Sequence, residues 1–237
     1  MRYIFLLVIL LAVERLCAQG FVVIELFTSQ GCSSCPAADK NLSEIIQRAE
    51  REGKPVYGLS FHVDYWNYIG WKDPYSSKEF TERQRKYSKE MGSDGVYTPQ
   101  MIVNGESEFV GSQKGSAEKA IEEALKKKPS FQILISDLEV IDDRLRLRYT
   151  IDKSPGDETV NVAVVERDVE NYVARGENSG KTLHHDNVVR EFKSFPLQRQ
   201  GQLEIKIPPL NSTKTSVILF IQDKHQKILS ASVKPIS

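Results

Sequence analysis

The run Gly31-Cys32-Ser33-Ser34-Cys35-Pro36 lies between an apolar β-type segment, Phe21 to Thr28, and a helical stretch reaching about Arg51. Two thiols separated by two residues at a helix start can close into a small disulfide ring. The helix N-terminus presents unpaired N–H groups and positive dipole character, which favours a thiolate on the first cysteine. Pro36 in the first turn gives up an N–H that has few partners anyway, so it starts the helix without breaking it. Strand, Cys-x-x-Cys, helix therefore reads as a thiol–disulfide exchange site.

The N-terminus decides how many thiols remain to do this. Met1-Arg2-Tyr3 opens with a positive charge, Ile4 to Val13 is apolar, and Leu16-Cys17-Ala18 ends in a small residue. That order reads as a signal peptide over residues 1–18, cleaved after Ala18, and places the protein outside the cytoplasm, secreted or periplasmic. The apolar run falls far short of the roughly 20 residues of a membrane span and is interrupted by Glu14-Arg15. Acylation of Cys17 is the weaker alternative, because Glu14-Arg15-Leu16 lacks small residues. Cleavage removes Cys17 and leaves Cys32 and Cys35 as the sole thiol pair. A disulfide closing so small a loop constrains the unfolded chain little, so chemistry explains the pair better than stapling.

Charge is balanced, with 32 basic and 32 acidic residues, so no long-range pull toward nucleic acid or anionic membrane is expected. At 237 residues the chain suits one large domain or two small ones. The first half alternates strand and helix signals: Val56–Val63 suits a buried strand, and an aromatic, turn-rich segment follows. Ser76 or Ser77 can cap a polar helix to about Met91, with Gly92 as its stop. Asn104-Gly105 marks a hairpin between Gln100–Val103 and Glu106–Val110, and a helix spans Ala117–Lys127. Beyond Phe131 the period changes to two, with short alternating runs between turn clusters. The expected architecture is an α/β domain over residues 19–128, with a helical insertion at about 64–95, then an all-β sandwich-like domain over 129–237.

Two elements carry a resemblance to the thioredoxin fold: the strand, Cys-x-x-Cys, helix order, and Tyr97-Thr98-Pro99-Gln100 just before the hairpin. The full chain is similar to secreted bacterial thioredoxin-like proteins classed as a domain of unknown function, number 1223. The matching stretches are Glu25–Pro36, Phe61-His62-Val63-Asp64-Tyr65-Trp66, Gly70-Trp71-Lys72-Asp73-Pro74 and Tyr97-Thr98-Pro99-Gln100. The resemblance implies a thioredoxin-like first domain and a cis Pro99 packed against the sulfurs, and it brings no agreed substrate. The chain departs from thioredoxin at Gly31, where an aromatic residue is usual, and at Ser33-Ser34. Glu25, the candidate buried acid, is one residue further from Cys32 than in thioredoxin. Such a shift turns it to the other sheet face unless the loop bulges.

The expected function is extracytoplasmic thiol–disulfide exchange on protein or small-molecule thiols and disulfides, with no cofactor, no metal and no nucleic-acid partner. Cys32, the more exposed thiol, attacks; Cys35, one turn on, resolves the mixed disulfide. Thr98 and Pro99 shape a groove for an extended partner, and Gly31, Ser33, Ser34, His62, Asp64 and Trp66 are candidates to line it. The aromatics around Trp66 and Trp71 equally suit packing of the inserted loop. The alternative function is a non-catalytic binding module whose dithiol is a redox-sensitive latch or a copper(I) site with His62 as third ligand. In the second half, His184, His185 and Asp186 could ligate a metal. Adjacent histidines on a strand point opposite ways, however, so the segment with Asn178 and Asn187 reads as a hydrogen-bonded loop docking the two domains. The sequence leaves the oligomeric state and the direction of electron flow open.

Overall fold

The computed structural model describes residues 20–236. The signal peptide over 1–18, its cleavage after Ala18 and the acylation of Cys17 fall outside the described residues. The elements run β1 (Val22–Thr28), α1 (Cys35–Glu52), β2 (Val56–His62), a 3-10 turn at Asn67–Ile69, α2 (Lys78–Met91), β3 (Gln100–Val103), β4 (Ser107–Val110) and α3 (Lys114–Leu125). Nine strands follow: β5 (Ile133–Ile141), β6 (Arg144–Ile151), β7 (Thr159–Glu166), β8 (Val169–Val173), β9 (Lys181–His185), β10 (Val188–Pro196), β11 (Gln200–Lys206), β12 (Thr215–Gln222) and β13 (Ile228–Pro235).

The local signals have identifiable causes. The Ser77 hydroxyl accepts the Glu79 N–H to start α2, and Gly92 ends it in the left-handed region that costs glycine nothing. Asn104 and Gly105 both have positive φ, as a two-residue hairpin turn requires. Gly105 could be nothing else, because a Cβ there would sit 1.9 Å from the Gln226 carbonyl oxygen.

The expected pair of units, a thioredoxin-like α/β domain and a separate β-sandwich, is overturned. Strand accounts for 42% of the chain and helix for 23%, and one mixed sheet of eight strands runs through both halves in the order β13-β12-β7-β10-β2-β1-β3-β4. Strand β10 lies parallel to β2, with Val188 opposite Ser60. The Ser60 N–H donates to the Asn187 carbonyl at 2.9 Å, and the Asn187 amide donates to the Gly58 carbonyl at 3.0 Å. The physical reason is the edge of β2, whose free N–H and C=O groups need a partner once buried. The apolar core obeys the same continuity: Phe27, Phe61, Phe80 and Tyr87 from the first half pack in one cluster with Ala163, Val165, Ile218 and Phe220 from the second.

The sheet's two faces then separate what touches the cysteines from what does not. Ile24 and Leu26 of β1 face α1, packing with Ala38 and Leu42, while Val23 and Phe27 face the opposite cluster. The three-stranded sheet β11-β6-β5 covers β7 and β12 through Leu145, Leu147, Tyr149, Val162 and Leu219. Strands β8 and β9 form a two-stranded hairpin whose loop reaches back over the start of α1.

Candidate functional site

Cys32 and Cys35 form a disulfide, with Cα atoms 5.4 Å apart. Cys35 begins α1, and its N–H donates to the Cys32 carbonyl at 3.2 Å. The Cys32 Sγ lies 3.9 Å from the Thr98 carbonyl oxygen and 3.3 Å from the Ser34 hydroxyl. The Thr98–Pro99 bond is cis. Cys32, expected to be the more exposed thiol, is 1% exposed against 0% for Cys35, so both sulfurs are covered. Ser33 and Ser34 between them are exposed.

Two loops from opposite halves roof the disulfide. From the first half, the Trp66 indole N–H donates to the Thr98 hydroxyl at 2.7 Å, and its ring stacks on exposed Tyr68. A Cβ on Gly31 would come within 3.0 Å of Ile69 and 3.1 Å of Trp66, so any side chain here would press on this roof. From the second half, the Asn178 side-chain amide donates to the carbonyls of Gln30 at 3.0 Å and Cys32 at 2.9 Å. The Glu177 carboxylate accepts the Ser33 N–H at 2.9 Å. Gly176 closes the gap against Ile69. Asn178 thus ties the second half of the chain to the Cys32 loop. Glu177 carries no sequence signal of its own, being one acid in a polar loop.

Behind the disulfide, between α1 and the sheet, lies a buried polar layer. Residues alternate faces along a strand, so Thr28, Ser60 and His62 share the α1 side of β1 and β2. The His62 Nδ1 and the Asp73 Oδ2 are 2.7 Å apart, and Asp73 also accepts the N–H groups of Gln30 at 2.8 Å and Tyr75 at 3.0 Å. Burial pushes the Asp73 carboxyl up, but His62 and those N–H donors outweigh it and hold it below the usual carboxylate range. The His62 ring meets the His185 ring edge-on at 4.7 Å. Trp71 donates to the Gln30 side chain at 3.2 Å, and His185 Nε2 lies 3.4 Å from the Gln30 amide nitrogen. On its other side, His185 Nδ1 faces Asp39 of α1 at 3.5 Å.

The remaining candidates separate. Gly31, Ser33 and Ser34 flank Cys32 and Cys35 in the chain, the Thr98 carbonyl and the Ser34 hydroxyl lie beside the Cys32 sulfur, Trp66 reaches the same place through the Thr98 hydroxyl, and Pro99 follows Thr98 through the cis bond. His62 sits in the polar layer, with Asp73, Tyr75 and His185 as its partners. Asp64 instead ties the inserted loop to α2, accepting the Thr81 hydroxyl at 2.5 Å. His184 and His185 point to opposite sides of β9, and His184 meets Asp168 at the surface at 3.0 Å. Among the described residues no three His, Cys, Asp or Glu side chains are grouped to hold a metal ion.

Glu25 lies on the face away from α1, as the period of two requires. Arg83 of α2 grips it with two N–H donors at 2.5 and 2.9 Å, and Tyr87 donates to it as well. Gln222 of β12 accepts from the same guanidinium at 3.3 Å. Its partners are structural, and they join both halves of the chain.

Residues 23–222 match the family described as "Protein of unknown function (DUF1223)", and the chain belongs to that family. A crystal structure of protein AGR_C_4864 from Agrobacterium tumefaciens is similar at 29% identity and a TM-score of 0.64, over 91% of this chain and 94% of that one. A DUF3823 family protein from Bacteroides ovatus aligns with 46% of this chain and 55% of its own, at 17% identity and a TM-score of 0.28. No curated protein matches the sequence. Among the described residues no helix is long and apolar enough to cross a membrane.

Proposed function

We propose that this member of the family exchanges disulfides with thiol-bearing proteins or small thiols through Cys32 and Cys35. The observation that carries the reading is the bonded Cys32–Cys35 pair at the N-terminus of α1, with the Cys32 sulfur beside the Thr98 carbonyl. A thiolate of the partner attacks the Cys32 Sγ, the Cys32–Cys35 bond breaks, and Cys35 leaves with the bonding electrons as a thiolate. A second partner thiolate then attacks the partner sulfur of the mixed disulfide and releases Cys32. In the reverse direction, a reduced Cys32 attacks a partner disulfide and Cys35 resolves it.

The helix start favours a Cys32 thiolate, although the Glu177 carboxylate already occupies the Ser33 N–H. Approach requires the Trp66 and Asn178 loops to move, because both sulfurs are covered. The reading of residues 1–18 as a signal peptide supports an exchange outside the cytoplasm, where disulfides persist.

The test is a Cys35→Ala variant, which retains the attacking thiol and lacks the resolving one. It should accumulate mixed disulfides through Cys32 under mildly oxidising conditions. No trapped species, together with no reduction of insulin by the dithiol form of the wild type, would sink the proposal.

A further inference from the structure

We propose that Asp39 and His185 handle the proton of Cys35, so that the second half of the chain supplies part of the exchange chemistry. The inference rests on the exchange reading above. Asp39 follows Cys35 by four residues and shares its face of α1, one turn further along. It is 3% exposed, and neither of its carboxylate oxygens has a hydrogen-bond partner among the described residues. Buried carboxylates are ordinarily held by several donors, and leaving one without them is costly. The charge-bearing side chain facing it is His185 of β9, itself fully buried, at 3.5 Å. The separation leaves His185 Nδ1 without a hydrogen bond too. Thr28, Ser60 and the His62 Nε2 in the same layer are likewise unsatisfied.

The exchange reaction supplies a use for them. Breaking the disulfide creates a thiolate on Cys35 at a position that is 0% exposed. A buried thiolate is disfavoured and is neutralised where a proton can reach it. His185 carries one. Burial pulls its imidazole down, but Asp39 first, then Asp73 and Asp186, outweigh burial and hold it above its ordinary value. The groups facing His185 are Asp39 and Cys35's helix on one side, His62 with Asp73 on another, Gln30 above, and Asp186 next in the chain. Asp39 favours the imidazolium form of His185 across the 3.5 Å that separates them. When Cys35 leaves as a thiolate, one proton passes from the imidazolium–carboxylate pair to the sulfur, giving a thiol and a neutral imidazole beside Asp39. When the disulfide re-forms, Cys35 returns that proton to the pair, attacks the mixed disulfide at the Cys32 sulfur, and the partner leaves as a thiolate. Electrons move only between sulfurs. Asp39 and His185 are positioning residues for that proton, and the attacking sulfur of Cys32 does not need them.

The experiment uses the full-length mature chain with a small aromatic disulfide as the partner, and follows mixed-disulfide formation and its resolution separately by rapid quenching. Asp39→Asn and His185→Gln should leave the formation step unchanged. Both should slow resolution roughly a hundredfold at neutral pH, the lower end of what a positioned acid or base supplies. The rate should recover as pH is raised and Cys35 ionises unaided. Two variants in different halves guard against loss of folding in one, and far-ultraviolet circular dichroism checks each. Resolution as fast as wild type in a folded variant, with the same pH profile, would overturn this proposal while leaving exchange intact. Absence of any mixed disulfide, in wild type and Cys35→Ala alike, would instead remove the exchange reading on which it stands.

Discussion

Replacing Arg83 with methionine tests the assignment of Glu25 to structure rather than chemistry. The guanidinium lies in a box of four aromatic rings, its central carbon 4.6 Å from Phe192, 5.2 Å from Tyr87, 5.5 Å from Phe220 and 5.6 Å from Phe61. It is buried with Glu25, whose two oxygens it holds at 2.5 and 2.9 Å. Methionine keeps much of the packing volume, and sulfur–aromatic contacts return about 0.3–1.5 kcal/mol. What it cannot return is a partner for the carboxylate. Removing one member of a buried pair costs about 3–5 kcal/mol, chiefly because the other charge is left behind. At about 2–4 °C per kcal/mol for a chain of this size, the thermal midpoint should fall by roughly 6–20 °C. Urea unfolding should show the same loss at an unchanged slope. Adding Glu25→Leu should recover most of the deficit, since no orphaned charge then remains. Mixed-disulfide formation by Cys32 should be unaltered in every folded variant, because Glu25 faces away from α1. A cost below about 1 kcal/mol for Arg83→Met, or a double variant as unstable as the sum of the singles, would refute the reasoning.

Two further outcomes follow from groups around the disulfide. Glu177→Gln removes a negative charge from the Ser33 N–H, where the Ser33 hydroxyl and N–H now hold the Glu177 carboxyl below its usual range. The Cys32 thiol of the reduced protein should become more acidic, shifting its alkylation profile to lower pH; an unmoved profile would disconnect Glu177 from the thiolate. Asp73, depressed in the folded state, contributes stability that is present above its unfolded value of about 3.9 and lost as pH falls through its folded value. The unfolded chain binds more protons in that window, so wild-type stability should drop in acid. Asp73→Asn should be less stable than wild type at pH 7, with the gap narrowing below about pH 4; urea midpoints with a constant gap would count against this.

Much of the first half was legible because its signals are local. A serine capping α2, a glycine ending it, and Asn104-Gly105 between two apolar runs act within a few residues of themselves. The junction of the halves is different in kind. Strand β2 presents an edge that needs a partner, and nothing near it says that β10, more than a hundred residues away, will fill it. β10 also hides its own periodicity. The register slips between Val189 and Glu191, so Arg190 is an extra residue and the alternation changes phase in mid-strand. A window searching for a period of two finds two short fragments instead of one nine-residue strand. With that strand unread, the period-two runs on either side of it suggest a sandwich of their own, although β7 and β12 extend the first sheet.

The disulfide was legible for the same local reason, and its surroundings were not. Glu177 and Asn178 are polar residues in a polar loop, and only the return of the β8–β9 hairpin over α1 places them at Ser33 and Cys32. Asp39 did leave a trace. Cys35, Ala38, Leu42, Ile45, Ile46 and Ala49 are buried at helical spacing, and Asp39 falls within that stripe. An acid on the apolar face of a helix, one turn after a cysteine, has no solvent to satisfy it. It requires a partner from elsewhere in the chain. Here that partner is His185, which a strand places on the buried side because its neighbour His184 takes the exposed one.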